Sequence, residues 1–203
     1  MFRLIKIIFN AFVIVLAIIG FNAIGGQKYV EALKMYAGGF MRSHVLESAK
    51  KIGDFSNLNE EFQIDNTMTL AGYKTVLAEH KASGQKMMII DSGKKPLLTQ
   101  EDIASETLEE KLKNLSEKFK YQSLSIKDIK VTDRGTMELY GQNVPYAKFE
   151  AQITKFTAFD TAGMAACTVS SDGSAKLALA VNDKKKYSQL ISNEFFKGVR
   201  ESK

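Results

Sequence analysis

Residues 146–154 read YAKFEAQIT, and this stretch decides the fold. Ala147, Phe149, Ala151 and Ile153 fall on one side of a period-two pattern. Tyr146, Lys148, Glu150, Gln152 and Thr154 fall on the other. Strict alternation marks a strand, because successive side chains point to opposite faces of a sheet. An apolar side and a polar side predict one covered face and one wet face, the habit of an antiparallel sheet.

Working outward, the strand is entered through LYGQNVPYAKFEA, residues 139–151. Gly141, Asn143 and Pro145 interrupt two strands there, and Tyr140 and Tyr146 stand at the shoulders. The pattern predicts a hairpin loop. Tyr140, Asn143 and Tyr146 are also a candidate recognition edge, because exposed tyrosines supply contact area at low entropic cost. Upstream, SIKDIKVTD is expected to turn at Arg134-Gly135 into TMELYG. Downstream, MAACTVS and SAKLALAV flank Asp172-Gly173, a type I′ hairpin signal. Nearer the N-terminus, TMTLAGYKTVLAEHK and QKMMIID flank the turn Ala82-Ser83-Gly84.

Two helices complete the pattern. Thr99 to Lys120 carries the stripe Ile103, Leu108, Leu112, Leu115 and Phe119, and Thr99 with Asp102, or Thr107 with Glu110, fits a capping box. Tyr187 to Val199 buries Tyr187, Leu190, Ile191, Phe195 and Val199. The order is two strands, a helix, about five strands and a helix. The expected class is α+β: an antiparallel β-sheet with two packed helices, preceded by an N-terminal transmembrane helix.

That first helix is KIIFNAFVIVLAIIGFNAIGGQK, residues 6–28. Ile7 to Gly26 is uncharged for 20 residues, and a helix of that length covers roughly 30 Å, the thickness of the hydrocarbon core. Twelve residues from Ile7 to Ile24 are Ile, Leu, Val or Phe, which favours insertion by about 4 to 7 kcal/mol before Asn10 and Asn22 are charged against it. Apolar side chains cover every face, which excludes an amphipathic soluble helix. Ala23-Ile24-Gly25 resembles a signal-peptidase site, but the apolar run exceeds the usual signal core. A retained anchor is favoured, with a cleaved signal on a secreted protein as the alternative. Arg3 and Lys6 precede the segment, so the positive-inside rule puts the N-terminus in the cytoplasm. The domain is then extracytoplasmic, periplasmic or on a bacterial cell surface. The expected organisation is an anchor over 1–26, a helical stalk and linker over 27–66, and an α+β domain over 67–203.

Catalytic chemistry finds little footing. Net charge is +5, no basic patch interleaves with aromatics, and nucleic acid is not expected as a partner. Lys184, Lys185 and Lys186 form the densest basic cluster and read as a solvated turn. His44, His80 and Cys167 show no metal-ligand spacing, so no metal is assigned. Cys167 alternates with Ala165 and Val169 and is expected in the core; a nucleophile pair with His80, read as exposed, is the least favoured option. Glu60-Glu61, Glu101-Asp102 and Glu109-Glu110 are sequence neighbours that do not converge. No Gly-rich phosphate cradle appears, and no cofactor or catalytic residue is assigned.

The order of elements from Thr67 to Val199, carried by ETLEEKLKNLSEKF, LYGQNVPYAKFEA and YSQLISNEFFKGV, resembles the PsbP-like α+β domains. That resemblance implies a small non-enzymatic domain associated with a membrane complex, and no functional residue is transferred with it. The expected function is a membrane-anchored, single-pass interaction domain whose partner is an envelope protein or a lipid. A lipid or small-molecule carrier, its pocket lined by some of the eight methionines, is the alternative.

Overall fold

The computed structural model describes residues 40–70, 73–117, 125–154 and 158–202. The expected anchor and the first part of the stalk lie outside these residues. Among the described residues no helix is long and apolar enough to cross a membrane. The elements run α1 (Phe40–Lys50), β1 (Phe62–Leu70), β2 (Tyr73–His80), β3 (Lys86–Asp91), α2 (Gln100–Ala104) and α3 (Leu108–Glu117). They continue with β4 (Ser125–Leu139), β5 (Gln142–Thr154), β6 (Ala158–Val169), β7 (Ala175–Asp183) and α4 (Gln189–Gly198). All seven strands form one antiparallel sheet in the order β1-β2-β3-β7-β6-β5-β4.

The α+β class holds, but the expected wet face does not. Helices cover both faces. On one, Ile103 and Leu108 of the α2–α3 pair, with Leu98, pack on Leu77, Met88, Ile90, Phe149, Cys167 and Leu179. On the other, Ala49 of α1, Ile52, and Phe195, Phe196 and Val199 pack on Val76, Met87, Ile89, Tyr146, Met164 and Ala178. The central strands state this in their own composition: every residue of KMMIID in β3 is buried, as are all but the last of AKLALAVND in β7. The alternation in β5 belongs to a flank of the sheet, where Lys148, Glu150 and Gln152 stay half-buried.

Several boundaries move for identifiable reasons. TMTLAGYKTVLAEHK is a hairpin rather than one strand, with Leu70 paired to Tyr73. Residues 62–66, expected as linker, form the first half of β1. The predicted 99–120 helix is two, because the hydroxyls of Ser105 and Thr107 bond each other at 2.7 Å and Ser105 Oγ accepts from Thr107 N. Such local bonds compete with the helix ladder. The capping box at Thr99 and Asp102 is present. Leu115 and Phe119 of the expected stripe lie outside the described side chains.

Arg134-Gly135 is not a turn; β4 runs through it for 15 residues. Gly135 is there because a Cβ would stand 2.8 Å from Cε1 of Tyr146, whose ring crosses the strand at that point. The type I′ turn is instead Tyr140-Gly141, with φ 52° and 74° at its two central residues between the paired Leu139 and Gln142. At Asp172-Gly173 only Gly173 has positive φ, 79°, and its N–H donates to the Ser170 carbonyl. That hairpin is therefore closed by a turn plus a left-handed glycine. Pro145 sits in β5 without disruption because the β5–β6 ladder begins only at Tyr146.

Candidate functional site: the sheet end at the Tyr140 turn

The three residues expected at a recognition edge do not share a surface. Tyr140 and Tyr146 are buried, and only Asn143 is exposed. The premise of exposed tyrosines fails because both rings have closer work. Tyr140 is a non-glycine residue in the left-handed region, a conformation that survives only where the surroundings over-determine it. Its ring packs in the core, and its hydroxyl donates to the Ile52 carbonyl at 2.9 Å. Burial, then the nearby carboxylates of Asp91 and Glu201, push that hydroxyl's pKa far above the ordinary tyrosine value. Tyr146 lies over Gly135 and donates its hydroxyl hydrogen to Asp133 Oδ2 at 3.1 Å.

Around this turn several distant segments converge. Gln142 donates to the Val169 carbonyl at 3.2 Å and accepts from Thr168 Oγ1 at 2.8 Å, joining two hairpins. The C-terminal segment lies alongside as a strap. Arg200 and Asp54 exchange backbone bonds of 2.8 and 3.0 Å. Arg200 Nη1 reaches Glu138 Oε1 at 2.7 Å, and the Glu201 carboxylate accepts from Ser171 N and Oγ at 3.0 and 2.5 Å. Ser202 Oγ donates to the Lys50 carbonyl at the end of α1. Beneath this end, Lys176 Nζ meets Asp91 Oδ2 at 2.8 Å, with both side chains nearly withdrawn from water. Exposed Lys74 sits opposite Asp91 on the other neighbouring strand. The outward product is a polar rim in which exposed Asn143 lies cross-strand from Glu138, Glu138 is tied to Arg200, and Glu201 is tied to the neighbouring Ser171 turn.

The nucleophile pair finds no geometric support. Cys167 is buried in the cluster under α2–α3. His80 is also buried, contrary to expectation, and its ring lies 5.3 Å from that of Phe62, which belongs to the cluster on the opposite face. Burial, and then the charges of Asp102 and Glu101, push the Cys167 thiol up to about 12, which leaves it protonated. His44 lies outside the described side chains. Met87, Met88, Met137 and Met164 are buried within the two clusters, as packing residues.

One arrangement had no sequence signal that a motif search would find. His80 Nδ1 lies 2.9 Å from Ser83 Oγ, and its Nε2 lies 3.4 Å from Glu61 Oε2. Serine, imidazole and carboxylate are thus aligned. The turn's own bonds occupy the amides that an oxyanion would need. Ser83 N donates to His80 Nδ1, Gly84 N to the His80 carbonyl and Gln85 N to Ser83 Oγ. Among the described residues no group of three or more His, Cys, Asp or Glu side chains is placed to hold a metal ion.

No protein-family model matches this chain, and no curated protein matches it in sequence.

Proposed function

We propose that the chain is a single-pass, N-in membrane protein that displays one extracytoplasmic α+β domain and binds a partner rather than catalysing. The observation that carries this reading is the uncharged, all-round apolar segment Ile7 to Gly26, long enough to span a bilayer. The resemblance to PsbP-like domains belongs to the same proposal and favours a non-enzymatic role beside a membrane complex. The contact surface proposed is the polar rim around Asn143. Its backbone is held by the Tyr140 anchor and the C-terminal strap, so little ordering entropy is lost on binding.

A photo-crosslinking residue at position 143, in membranes from the native host, tests this. One discrete adduct that disappears when Arg200→Glu is introduced in the same chain supports the reading. Absence of any adduct at 143, with the protein intact in the membrane, counts against the surface. Recovery of the protein in the soluble fraction counts against the anchor.

A further inference from the structure

The sheet has two edges, β1 and β4, and they are not finished alike. β1 is interrupted: its register shifts between Ile64 and Asn66, and Asn66 Oδ1 takes the Thr67 amide at 2.8 Å. The first half of β4 is interrupted too. Its register shifts between Lys127 and Lys130 and again between Val131 and Asp133, and the Val131 amide is taken by Glu109 Oε1 at 2.6 Å. Bulges and side-chain plugs of this kind blunt an edge against further pairing. From Asp133 to Leu139 no such device appears. There β4 pairs with β5 in unbroken register.

Which backbone groups of that stretch face outward follows from the hairpin. Leu139 and Gln142 close a two-residue type I′ turn, so they exchange both their bonds. Antiparallel pairs alternate, so Met137 and Gly135 also bond to β5, and Glu138, Thr136 and Arg134 present their N–H and C=O outward. Pro145 confirms the phase. It stands opposite Thr136 and has no N–H to give it. Among the described residues no side chain takes the outward amides of Arg134, Thr136 or Glu138.

The side chains of these three residues share one face, because they are spaced by two. Arg134 and Thr136 are exposed and Glu138 is half-buried. Their order is cation, hydroxyl, anion. A strand with that order is complementary to itself when it is turned around. A two-fold axis through the sheet at Thr136 sets Thr136 on its own copy. It also sets Arg134 opposite the partner's Glu138, and Glu138 opposite the partner's Arg134. All three pairs then match outward-facing backbone with outward-facing backbone. Centring on Arg134 or on Glu138 instead sets like charges face to face, which disfavours those registers. Arg134 gives one donor to the Ser105 carbonyl and Glu138 one oxygen to Arg200, so a guanidinium edge and a carboxylate oxygen remain for the new pairs.

We propose that the open edge of β4 from Arg134 to Glu138 is a homodimer interface, joining two copies into one continuous antiparallel sheet about a two-fold axis at Thr136. The contact is isologous, so it closes at two copies and does not propagate. The pairing does not depend on the membrane anchor, but it agrees with it. A two-fold axis running through the sheet leaves α1 of both copies on the same face, so both chains approach one membrane from the same side. A five-residue edge buries little surface. Confinement of two anchored chains to one membrane raises their effective concentration and offsets that.

Disulfide trapping of the full chain in cells of the native host tests this. Diamide serves as oxidant because it reaches thiols on either side of a membrane. The native Cys167 is buried and does not compete. Thr136→Cys brings two thiols onto a bonded pair with Cα atoms about 5.5 Å apart, within disulfide range. Thr132→Cys, exposed on the same strand, places its two thiols about 26 Å apart in this register. A single adduct at twice the chain mass is expected from Thr136→Cys and not from Thr132→Cys. In the Thr136→Cys background, Arg134→Glu or Glu138→Arg alone should lower the dimer yield about tenfold, and the two together should restore it. No dimer at 136, equal dimer at 132, or a double charge variant no better than the singles overturns the proposal. If Glu138→Arg does not accumulate, the contrast between 136 and 132 decides.

Discussion

The two faces of the sheet are closed by different means. Under α2 and α3 the contacts are mostly aliphatic, and the helices are held by bonds close in sequence or to the neighbouring edge strand. Thr99 caps α2, Glu109 Oε1 accepts from the Val131 amide at 2.6 Å, and Arg134 donates to the Ser105 carbonyl at 3.0 Å. The face under α1 and α4 is aromatic, with Phe62 and Phe195 rings 5.4 Å apart and Phe195 and Phe196 rings 5.3 Å apart. Polar bonds between residues far apart in sequence hold it shut: Gln85 to Ser188, Tyr140 to Ile52 and Arg200 to Asp54. The first face is closed by local chemistry. The second depends on both ends of the domain arriving together, and the stalk and the C-terminal strap belong to it.

The aromatic face is most vulnerable at Phe196, which is fully buried. Phe196→Ala should lower unfolding free energy by about 4 kcal/mol, measured as a denaturation midpoint at unchanged m-value. On the same face, Lys176→Met strands the Asp91 carboxylate and should cost about 3 kcal/mol, whereas Lys176→Met with Asp91→Leu should recover most of it. If the double variant is no better than the single, Lys176 is not the charge on which the buried Asp91 carboxylate depends. On the α2–α3 face, Gly163→Ala forces a Cβ to 2.6 Å from the Ala180 carbonyl and 2.7 Å from the Phe149 ring. It should cost about 2 kcal/mol, because backbone cannot step aside. Cys167, on that face, should resist thiol reagents until denaturant is added.

The smallest effect concerns Asp102. The Lys111 ammonium and then the Thr99 amide hold its carboxyl below the ordinary aspartate range. A depressed folded-state pKa contributes stability above the unfolded value, lost as pH falls through the folded one. Lys111→Gln should therefore narrow the stability difference between neutral and acid pH by less than about 1 kcal/mol, since the pair faces solvent. No change would mean that the cap alone fixes that turn.

Legibility in the sequence follows the same division. The capping box at Thr99, the hairpin at Ala82-Ser83-Gly84 and the final helix are local signals, and all three are present, although Leu190, expected in the buried stripe of that helix, is 80% exposed and Phe196 is buried in addition to Phe195. The two-sided burial was readable in KMMIID and AKLALAV, continuous apolar runs of strands covered twice, but the alternation in YAKFEAQIT describes only its own flank. Arg134-Gly135 looked like a turn because glycine has two uses; here it admits a ring. The burial of Tyr140, Tyr146 and His80 was not legible, because what covers each is set by Ile52, Gly135 and Phe62, and nothing in spacing announces those partners. The strap of Arg200 and Glu201 was silent for the same reason.

Whether residues 1–25 stay on the chain decides where the domain is displayed. The measurement that tests this most directly is the intact mass of the mature protein extracted from the membrane fraction of its native host. A retained anchor predicts the mass of the whole 203-residue chain. A mass lacking the first 25 residues, or recovery of the protein outside the membrane, contradicts it.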